Sequence, residues 1–393
     1  MRILFVTPYV PSSVRIRPFA FIRELSRLGH KVTLACLVQP EWESDYLPEV
    51  AEFCEAVHPV YLDRIEPYLH TLASLPTKTP LSVAYCRSAK FEQKVRELVQ
   101  QGSFDLLHTE FVRAAQVTAQ INGLPKTYDA VDSLSLAYQR GYNAPMIPLR
   151  QRLVSLIEWL KMRGYESQIL HNFDRLLVSS PDDQQALQKN GCQVTVLPNG
   201  VDLEYFAFQE ARNKSDTIIF LGKMSYYVNV ASVLWFYQEV FPHIHRMHPD
   251  VKLKIIGREP DSRIKALASD PAVEVTGTVN DVRPHLAQGR VSICPMVCGS
   301  GIQNKMLEAM AVGTPCVATS LATQGLRVKP GHDVLVADDA EAFAEEVSLL
   351  FQDEELNQKI AQNARGYVER HHNWKQIGQD LDQIFNELVK SLQ

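Results

Sequence analysis

The stretch GSGIQNKMLEAMAVGTPCVAT, Gly299 to Thr319, packs an anion cradle, a cation and a carboxylate into about three turns of helix-forming sequence. Gly299 and Gly301 let the backbone approach a ligand, and the run Ile302 to Val312 predicts a helix whose first amides have no internal partner. Such a helix start attracts phosphate. Lys305 falls on the first turn, and Glu308 shares its face three residues further on. A ligand with an anionic part and a hydroxylated part could touch both, and a sugar nucleotide has both parts.

Four other groupings carry polar chemistry. In FLGKM, Gly222 and Lys223 follow the expected strand Thr217–Leu221. Lys223 and Lys305 together could neutralise a departing diphosphate, a stabilisation of several kcal/mol when donors are preorganised. The alternative is one surface lysine and one helix lysine paired with Glu308. In FDLLHTEF, His108 and Glu110 lie two apart on an extended segment and so point the same way, as acid/base groups or as structural polar residues. TYDAVDSLS carries Asp129 and Asp132 past a strand end, where Asp132 or Ser133 could equally cap a helix. The loop after the first strand holds Ser12, Ser13, Arg15 and Arg17, which could bind an acceptor's hydroxyls or a phosphate, with N-capping by either serine as the alternative.

The elements that must position these groups alternate. Valine- and isoleucine-rich runs at Ile3–Thr7, Lys31–Leu37, Ala56–Leu62, Leu106–His108, Lys126–Asp129, Arg175–Ser179 and Thr195–Leu197 read as strands. Helical stretches between them include Ile16–Leu28, Ala89–Gln100 and Ile147–His171. A second series runs through Thr217–Leu221, Leu253–Gly257, Val273–Thr276, Val291–Cys294, Pro315–Ala318 and Asp333–Val336, with helices at Asn229–His245, Arg283–Gln288 and from 302. This alternation predicts an α/β chain of two Rossmann-like, doubly wound domains with ligands at the carboxyl ends of the strands. The turn chemistry of PNGVDLEYF and the polar stretch Gln209 to Ser215 place the boundary near residue 207, giving domains 1–206 and 207–372. Residues 373–393 form a terminal helix that Trp374 could anchor back on the first domain.

Composition agrees. The chain has 393 residues, 46% of them hydrophobic, enough for two cores. A net charge of −5 gives no general attraction to nucleic acid. Seven cysteines without a CxxC pair suit a reducing compartment, and Cys294 with Cys298 reads as buried thiols or, alternatively, metal ligands. The opening MRILFVTPYV is too short an apolar run for a secretory signal, and no run approaches the roughly 20 residues that span a bilayer. The expectation is a cytoplasmic protein able to rest on a membrane surface. The helix Ile147–His171, with Arg150, Arg152, Lys161 and Arg163 among leucines, could lie on anionic lipid or pack in the core with a solvated charged face.

Taken in order, LGHKVTL (28–34), PNGVD (198–202), FLGKM (220–224), LKIIG (253–257), VEVTGTVNDV (273–282) and GIQNKMLEAMAVGTPCVAT (301–319) resemble the retaining family 4 glycosyltransferases of the GT-B fold along nearly the whole chain. MSYYVNVASVLWFYQEVFP and GSGIQNKMLEAMA are similar to bacterial sugar transferases of exopolysaccharide systems. The resemblance implies a nucleotide-sugar donor in the second domain. Glu308 would meet the ribose, and Gly222, Lys223 and the helix start through Ser300, Gly301, Ile302 and Gln303 would meet the diphosphate. A saccharide or lipid-linked acceptor would occupy the first domain, without catalytic metal or cofactor. Lys223, Lys305, His108 and Glu110 are the implied catalytic set. The chain departs from the family pattern in three places. Ser300 stands where a glutamate usually precedes Glu308, and SYYVNV lacks the usual second cation, so that Lys305 takes its place. Glu110 stands where a histidine often follows the position of His108. A sugar-nucleotide epimerase or a non-catalytic binding protein would share this architecture, whereas an NAD-linked oxidoreductase fits poorly because GSGIQN lacks the third glycine of the dinucleotide fingerprint.

Overall fold

The computed structural model describes residues 1–39, 41–144, 147–188, 193–209, 215–299 and 301–391. The chain divides into two compact units. The first comprises Met1–Gln139, Leu153–Asn199 and Trp374–Gln393, and the second Arg140–Arg152 and Gly200–Asn373.

In the first unit, β1 (Arg2–Thr7), β2 (Lys31–Val38), β3 (Ala56–Tyr61), β4 (Leu106–Glu110), β5 (Lys126–Val131), β6 (Arg175–Val178) and β7 (Val194–Val196) form one parallel sheet in the order β3-β2-β1-β4-β5-β6-β7. The register pairs Phe5 with His108 and Glu110 with Asp129. Strands buried on both faces need near-continuous apolar runs, which is what Ile3–Val6 and Leu34–Val38 supply. The order reverses beside β1, so the loops after β1 and β4 flank the switch point where such sheets place ligands.

The terminal helix Trp374–Ser391 packs within this unit. Trp374 meets Phe21 edge-on at 5.8 Å, Phe385 meets the His108 ring at 5.4 Å, and His30 Nε2 lies 2.7 Å from Asp382 Oδ1.

In the second unit, β8 (Ser215–Leu221), β9 (Lys252–Ile256), β10 (Val273–Gly277), β11 (Gly289–Cys294), β12 (Cys316–Ala318) and β13 (Leu335–Val336) form a parallel sheet in the order β10-β9-β8-β11-β12-β13. The division falls at Asn199–Gly200, ahead of the boundary expected near 207. Val201 already belongs to the second unit, where its N–H donates to His372 O at 2.7 Å.

Two helices differ from expectation. The stretch expected as Asn229–His245 is a helix at Tyr227–Trp235, a π turn at Phe236–Val240 and a second helix at Phe241–Met247. Pro242 has no N–H to offer the ladder, so the hydrogen-bond register shifts ahead of it. The helix expected from Ile302 begins at Asn304, with Gln303 as its flanking residue in extended conformation.

Trp374 is fully buried among the aromatic residues of the first unit. Trp374→Ala is expected to destabilise that unit by about 3–5 kcal/mol, read by urea unfolding followed by circular dichroism. Gln379→Ala, on the exposed side of the same helix, should stay within about 0.5 kcal/mol of wild type.

Candidate functional site

The carboxyl ends of β4 and β5 bring His108, Glu110 and Asp129 together. Potential ligand atoms of the three lie within 4.8 Å of one another, and all three side chains are buried. Arg17, from the helix Ile16–Arg27 that follows β1, grips Asp129 with both arms of its guanidinium, Nε to Oδ2 at 2.7 Å and Nη2 to Oδ1 at 3.2 Å. Its Nη1 donates to Asn199 Oδ1 at 2.8 Å and to Pro198 O at 3.2 Å, which gives the PNGVD motif a structural task. Positive charge at Asp129 thus comes from Arg17.

Asp129 also organises backbone. Its Oδ1 accepts from Val131 N at 3.0 Å and its carbonyl accepts from Phe111 N at 2.7 Å. Phe111 and Val131 both have positive φ, 68° and 65°. For a bulky and a β-branched residue this costs of order 1–3 kcal/mol each, a strain typical of functional sites.

Glu110 accepts from the Tyr9 hydroxyl at 2.8 Å through Oε1, while its buried Oε2 has no protein partner. Burial, reinforced by the charge of Asp129, pushes Glu110 up to about 8, with Arg17 opposing. His108 is enclosed by the Phe5, Phe21 and Phe385 rings, and its Nδ1 sits 2.8 Å from the Thr127 hydroxyl. Its Nε2 is buried without a partner, and burial pulls the ring down to about 4. At neutral pH, then, Glu110 is a carboxylic acid and His108 an uncharged imidazole. Tyr9 joins this cluster to an open pocket of about 760 Å³ lined also by Arg15, Trp42, Tyr61, Tyr85 and Arg113. Arg15 stacks over the Tyr9 ring at 4.7 Å.

Ser12, Asp132 and Ser133 make local contacts within this unit. Ser12 Oγ accepts from Val14 N and Arg15 N, closing a turn one residue short of the helix. Asp132 accepts from Ser179 Oγ at 2.8 Å, and the helix Leu134–Asn143 is capped by Ser133, whose Oγ accepts from Leu136 N.

In the second unit, Gly222 and Lys223 follow β8, and Asn229 links Lys223 to Lys305. Asn229 Nδ2 donates to the Lys223 carbonyl at 3.0 Å, and its Oδ1 accepts from Lys305 Nζ at 2.6 Å. Lys305 Nζ also lies over the Phe220 ring at 4.7 Å, and burial lowers its pKa. Glu308, half-buried on the same helix, makes no hydrogen bond or ion pair with the described residues, and burial pushes it up to about 7 despite the opposing charge of Lys305. The alternative of a Lys305–Glu308 ion pair is thus not realised. Lys223 Nζ instead pairs with Glu259 Oε2 at 2.9 Å, both side chains about half exposed. Close approach of backbones is built in. A Cβ on Gly257, at φ 152°, would land on the Gly222 carbonyl oxygen, and Gly301 holds φ 74°. Ser300 lies outside the described residues; Ile302 and Gln303 precede the helix. Cys294 and Cys298 are buried free thiols, pushed up to about 11 and about 12 by burial.

A family model described as Glycosyltransferase Family 4 matches residues 19–205, and one described as Glycosyl transferases group 1 matches residues 215–353. The chain belongs to the family 4 glycosyltransferases. Among curated relatives, an uncharacterized 44.6 kDa protein in the cps region of Klebsiella pneumoniae is 21% identical over 374 residues, 92% of each chain. Phosphatidyl-myo-inositol mannosyltransferase of Mycobacterium leprae is 21% identical over 410 residues, covering 100% of this chain and 98% of the relative. Among solved structures, sucrose-phosphate synthase of Thermosynechococcus elongatus matches with a TM-score of 0.72 at 17% identity over 100% of both chains. HepE of Anabaena, in complex with UDP and glucose, matches with a TM-score of 0.67 at 15% identity over 98% of this chain and 99% of its own. These likenesses place this glycosyltransferase in the GT-B fold.

Three residues of the glycosyltransferase escaped sequence reading. Tyr9 and Asn229 sit in quoted motifs but without a charge to draw notice, and Glu259 follows β9 on a positive φ of 55°. The position of Asn229 on the first turn of the helix after FLGKM was the available signal.

The shifts of Glu110 and His108 set a pH dependence. Glu110 holds a proton in the folded chain up to about pH 8 against an ordinary value of 4.5, so its contribution to stability is lost as pH rises through that window. His108, lowered from 6.5 to about 4, acts oppositely and only below its ordinary value. Between pH 6.5 and 8 Glu110 therefore acts without His108. Glu110→Gln should remove roughly 1–2 kcal/mol of the stability loss across that range, measured as the difference between wild-type and variant denaturation at each pH. Equal slopes for both proteins would refute the assignment.

Proposed function

We propose that this glycosyltransferase moves a hexose-like sugar from a nucleoside diphosphate donor to a saccharide or lipid-linked acceptor, with retention, in exopolysaccharide or other surface-glycan synthesis. The observation that carries the donor assignment is Asn229, which ties the Lys223 carbonyl to the Lys305 ammonium and so holds the Lys305 charge beside the turn that follows β8. Beside them, Glu308 keeps a half-buried carboxylate without a protein partner, suited to accept hydrogen bonds from ribose hydroxyls. In this reading Gly222, Gly301, Ile302 and Gln303 let backbone groups approach the diphosphate, and Ser300 stands between Gly299 and Gly301 in the sequence. Lys223 exchanges Glu259 for the diphosphate; an exposed ion pair of that kind is worth under about 1 kcal/mol. The two lysines then stabilise the departing nucleoside diphosphate without catalytic metal or further cofactor.

The acceptor occupies the first unit, where the aromatic walls of the Tyr9 pocket offer flat faces and its arginines offer bidentate donors for an anionic linkage. An acceptor hydroxyl attacks the sugar on the face that the diphosphate leaves. Glu110 interacts with the sugar or the acceptor as a carboxylic acid, with His108 behind it. Among the described residues no helix is long and apolar enough to cross a membrane. We place the enzyme in the cytoplasm, in peripheral contact with the membrane. The relatives support this setting: one lies in a cps region, one is named for transfer to phosphatidyl-myo-inositol, and the solved HepE holds UDP and glucose.

Glu308→Ala should weaken binding of nucleoside diphosphates by about 10- to 100-fold, the worth of hydrogen bonds to a charged group. Lys305→Ala should lower kcat by about 10²- to 10³-fold while leaving the fold intact. Calorimetric titration of nucleotides and turnover with a panel of acceptors measure the two effects, and NMR of the product reads the anomeric outcome. Unchanged donor kinetics in both variants would remove the site, and a new sugar nucleotide formed from donor alone would make the protein an epimerase.

A further inference from the structure

The open pocket beside Tyr9 carries two guanidiniums, each set against one of two neighbouring rings. Arg15 Cζ lies 4.7 Å from the centroid of Tyr9, the Tyr9 and Phe111 rings meet at 6.3 Å, and Arg113 Cζ lies 5.3 Å from the centroid of Phe111. Both arginines line the pocket. Arg15 directly precedes the helix Ile16–Arg27 that follows β1, and Arg113 stands in the helix Val112–Thr118 that follows β4. Phe111, at φ 68°, is the residue that turns β4 into that second helix, so its strained backbone fixes where Arg113 stands.

Arg113 is the less satisfied of the two. It is partly buried, it forms no ion pair among the described residues, and its Nε is buried without a hydrogen-bond partner. Burial pushes the Cys86 thiol beside it upward, against the pull of Arg113, so the thiol supplies no counter-charge. Glu158 feels the Arg113 charge without pairing to it and accepts from Ser82 N at 2.7 Å. Arg15 has a loose partner: its Nη2 lies 3.7 Å from Glu43 Oε1, a carboxyl that burial pushes up and whose Oε2 accepts from Val10 N. Asp63, the acid among the lining residues, accepts from the amides of Ile65 and Glu66. A partly buried guanidinium without a counter-ion is costly, and its fork of donors matches a carboxylate or a phosphate. The wall opposite offers flat surface. Tyr61 and Tyr68 are 55% and 65% exposed, and Tyr68 meets Tyr85 edge-on at 5.7 Å.

We propose that Arg113 and Arg15 read an anionic group on the acceptor, so that the enzyme selects an acidic saccharide, one whose pyranose ring carries a carboxylate or a phosphoester, over a neutral one of the same size. Arg113 supplies the fork, Arg15 a second charge, and Tyr61 and Tyr68 the faces on which the ring rests. Tyr9 ties this subsite to the acid at the end of β4, because its ring lies under Arg15 while its hydroxyl donates to Glu110 Oε1 at 2.8 Å. The inference rests on the acceptor role proposed above for the first unit and names the class of acceptor. Its test reads binding and requires no turnover, so it can fail while the transferase assignment stands.

The test is saturation-transfer NMR of the full chain with three probes: methyl glucoside, methyl glucuronide and glucose 6-phosphate. At least one acidic probe should bind about 10- to 100-fold more tightly than the neutral one, the worth of hydrogen bonds to a charged group. A preference for the glucuronide identifies a carboxylate as the source of the anion, and a preference for the sugar phosphate identifies a phosphoester. Arg113→Gln should erase the preference, and Arg113→Lys, which keeps the charge without the fork, should restore part of it. Tyr61→Ala should weaken all three probes alike. Lys305→Ala, in the other unit, should leave the preference in place, which separates this subsite from the donor cations. All variants should match wild type in circular dichroism. Equal affinity for neutral and acidic probes, a preference unchanged in Arg113→Gln, a preference lost in Lys305→Ala, or no binding of any probe would each overturn the proposal. Transfer to neutral acceptors alone would overturn it too, and would leave the transferase reading intact.

Discussion

A carboxylate sealed from water must be paired, and in the first unit Arg17 is the partner that Asp129 requires. Removing one member of a buried pair costs about 3–5 kcal/mol, so the strand end can be arranged around this contact. Asp129 holds the amides of Phe111 and Val131, the two residues with strained backbone, and Arg17 holds Pro198 and Asn199 from the far edge of the same unit. Burial and the negative charge of Asp129 raise the second carboxylate nearby by more than the guanidinium lowers it. That is why Glu110 keeps its proton. A carboxyl group in that state can accept from Tyr9 through Oε1 and still offer a proton from Oε2, so the pair ranks Glu110 as an acid at neutral pH and leaves His108 uncharged.

The second unit uses the opposite arrangement. Lys305 and Glu308 feel each other's charge without forming an ion pair, and burial disfavours the charged form of each. A site of this kind is under-satisfied when empty. A ligand that brings an anion to the ammonium and hydroxyl donors to the carboxylate relieves both groups at once. Asn229 prevents the simpler solution: by holding Nζ at 2.6 Å it keeps the lysine directed to the end of β8 and away from the carboxylate one turn along its own helix. Lys223 is restrained only by an exposed pair with Glu259, which a diphosphate can displace.

Strands were legible because parallel sheets demand apolar runs on both faces, and all thirteen lie within a few residues of the stretches read from sequence. The positions of Lys223, Lys305 and Glu308 at the end of β8 and on one helix were legible too, since they depend on local periodicity. Long-range pairing was not. Arg17 and Asp129 are 112 residues apart, and nothing local distinguishes either from a solvated charge. His108 shows the same limit from the other side: expected beside a ligand, it is walled in by Phe5, Phe21 and Phe385, the last from a helix at the opposite end of the chain. The short helix Glu66–Ser74 went unread because its leucines break the usual rule that apolar residues point inward.

That broken rule is informative in energetic terms. Burying Glu158 and Glu166 desolvates two acids and pushes Glu166 up to about 7, with burial the cause and hydrogen bonds from Ser133, Leu134 and Ser135 only partly offsetting it. Exposing Leu149, Leu153, Val154, Ile157 and Leu160 on the same helix forgoes roughly 1.5–3 kcal/mol for each that could have been buried. The reverse orientation would free the amides of Ser82, Leu134 and Ser135 and expose Met162 and Ile169. The amides that hold the acids, together with Met162 and Ile169 buried on the same helix, are the means by which the fold fixes this register.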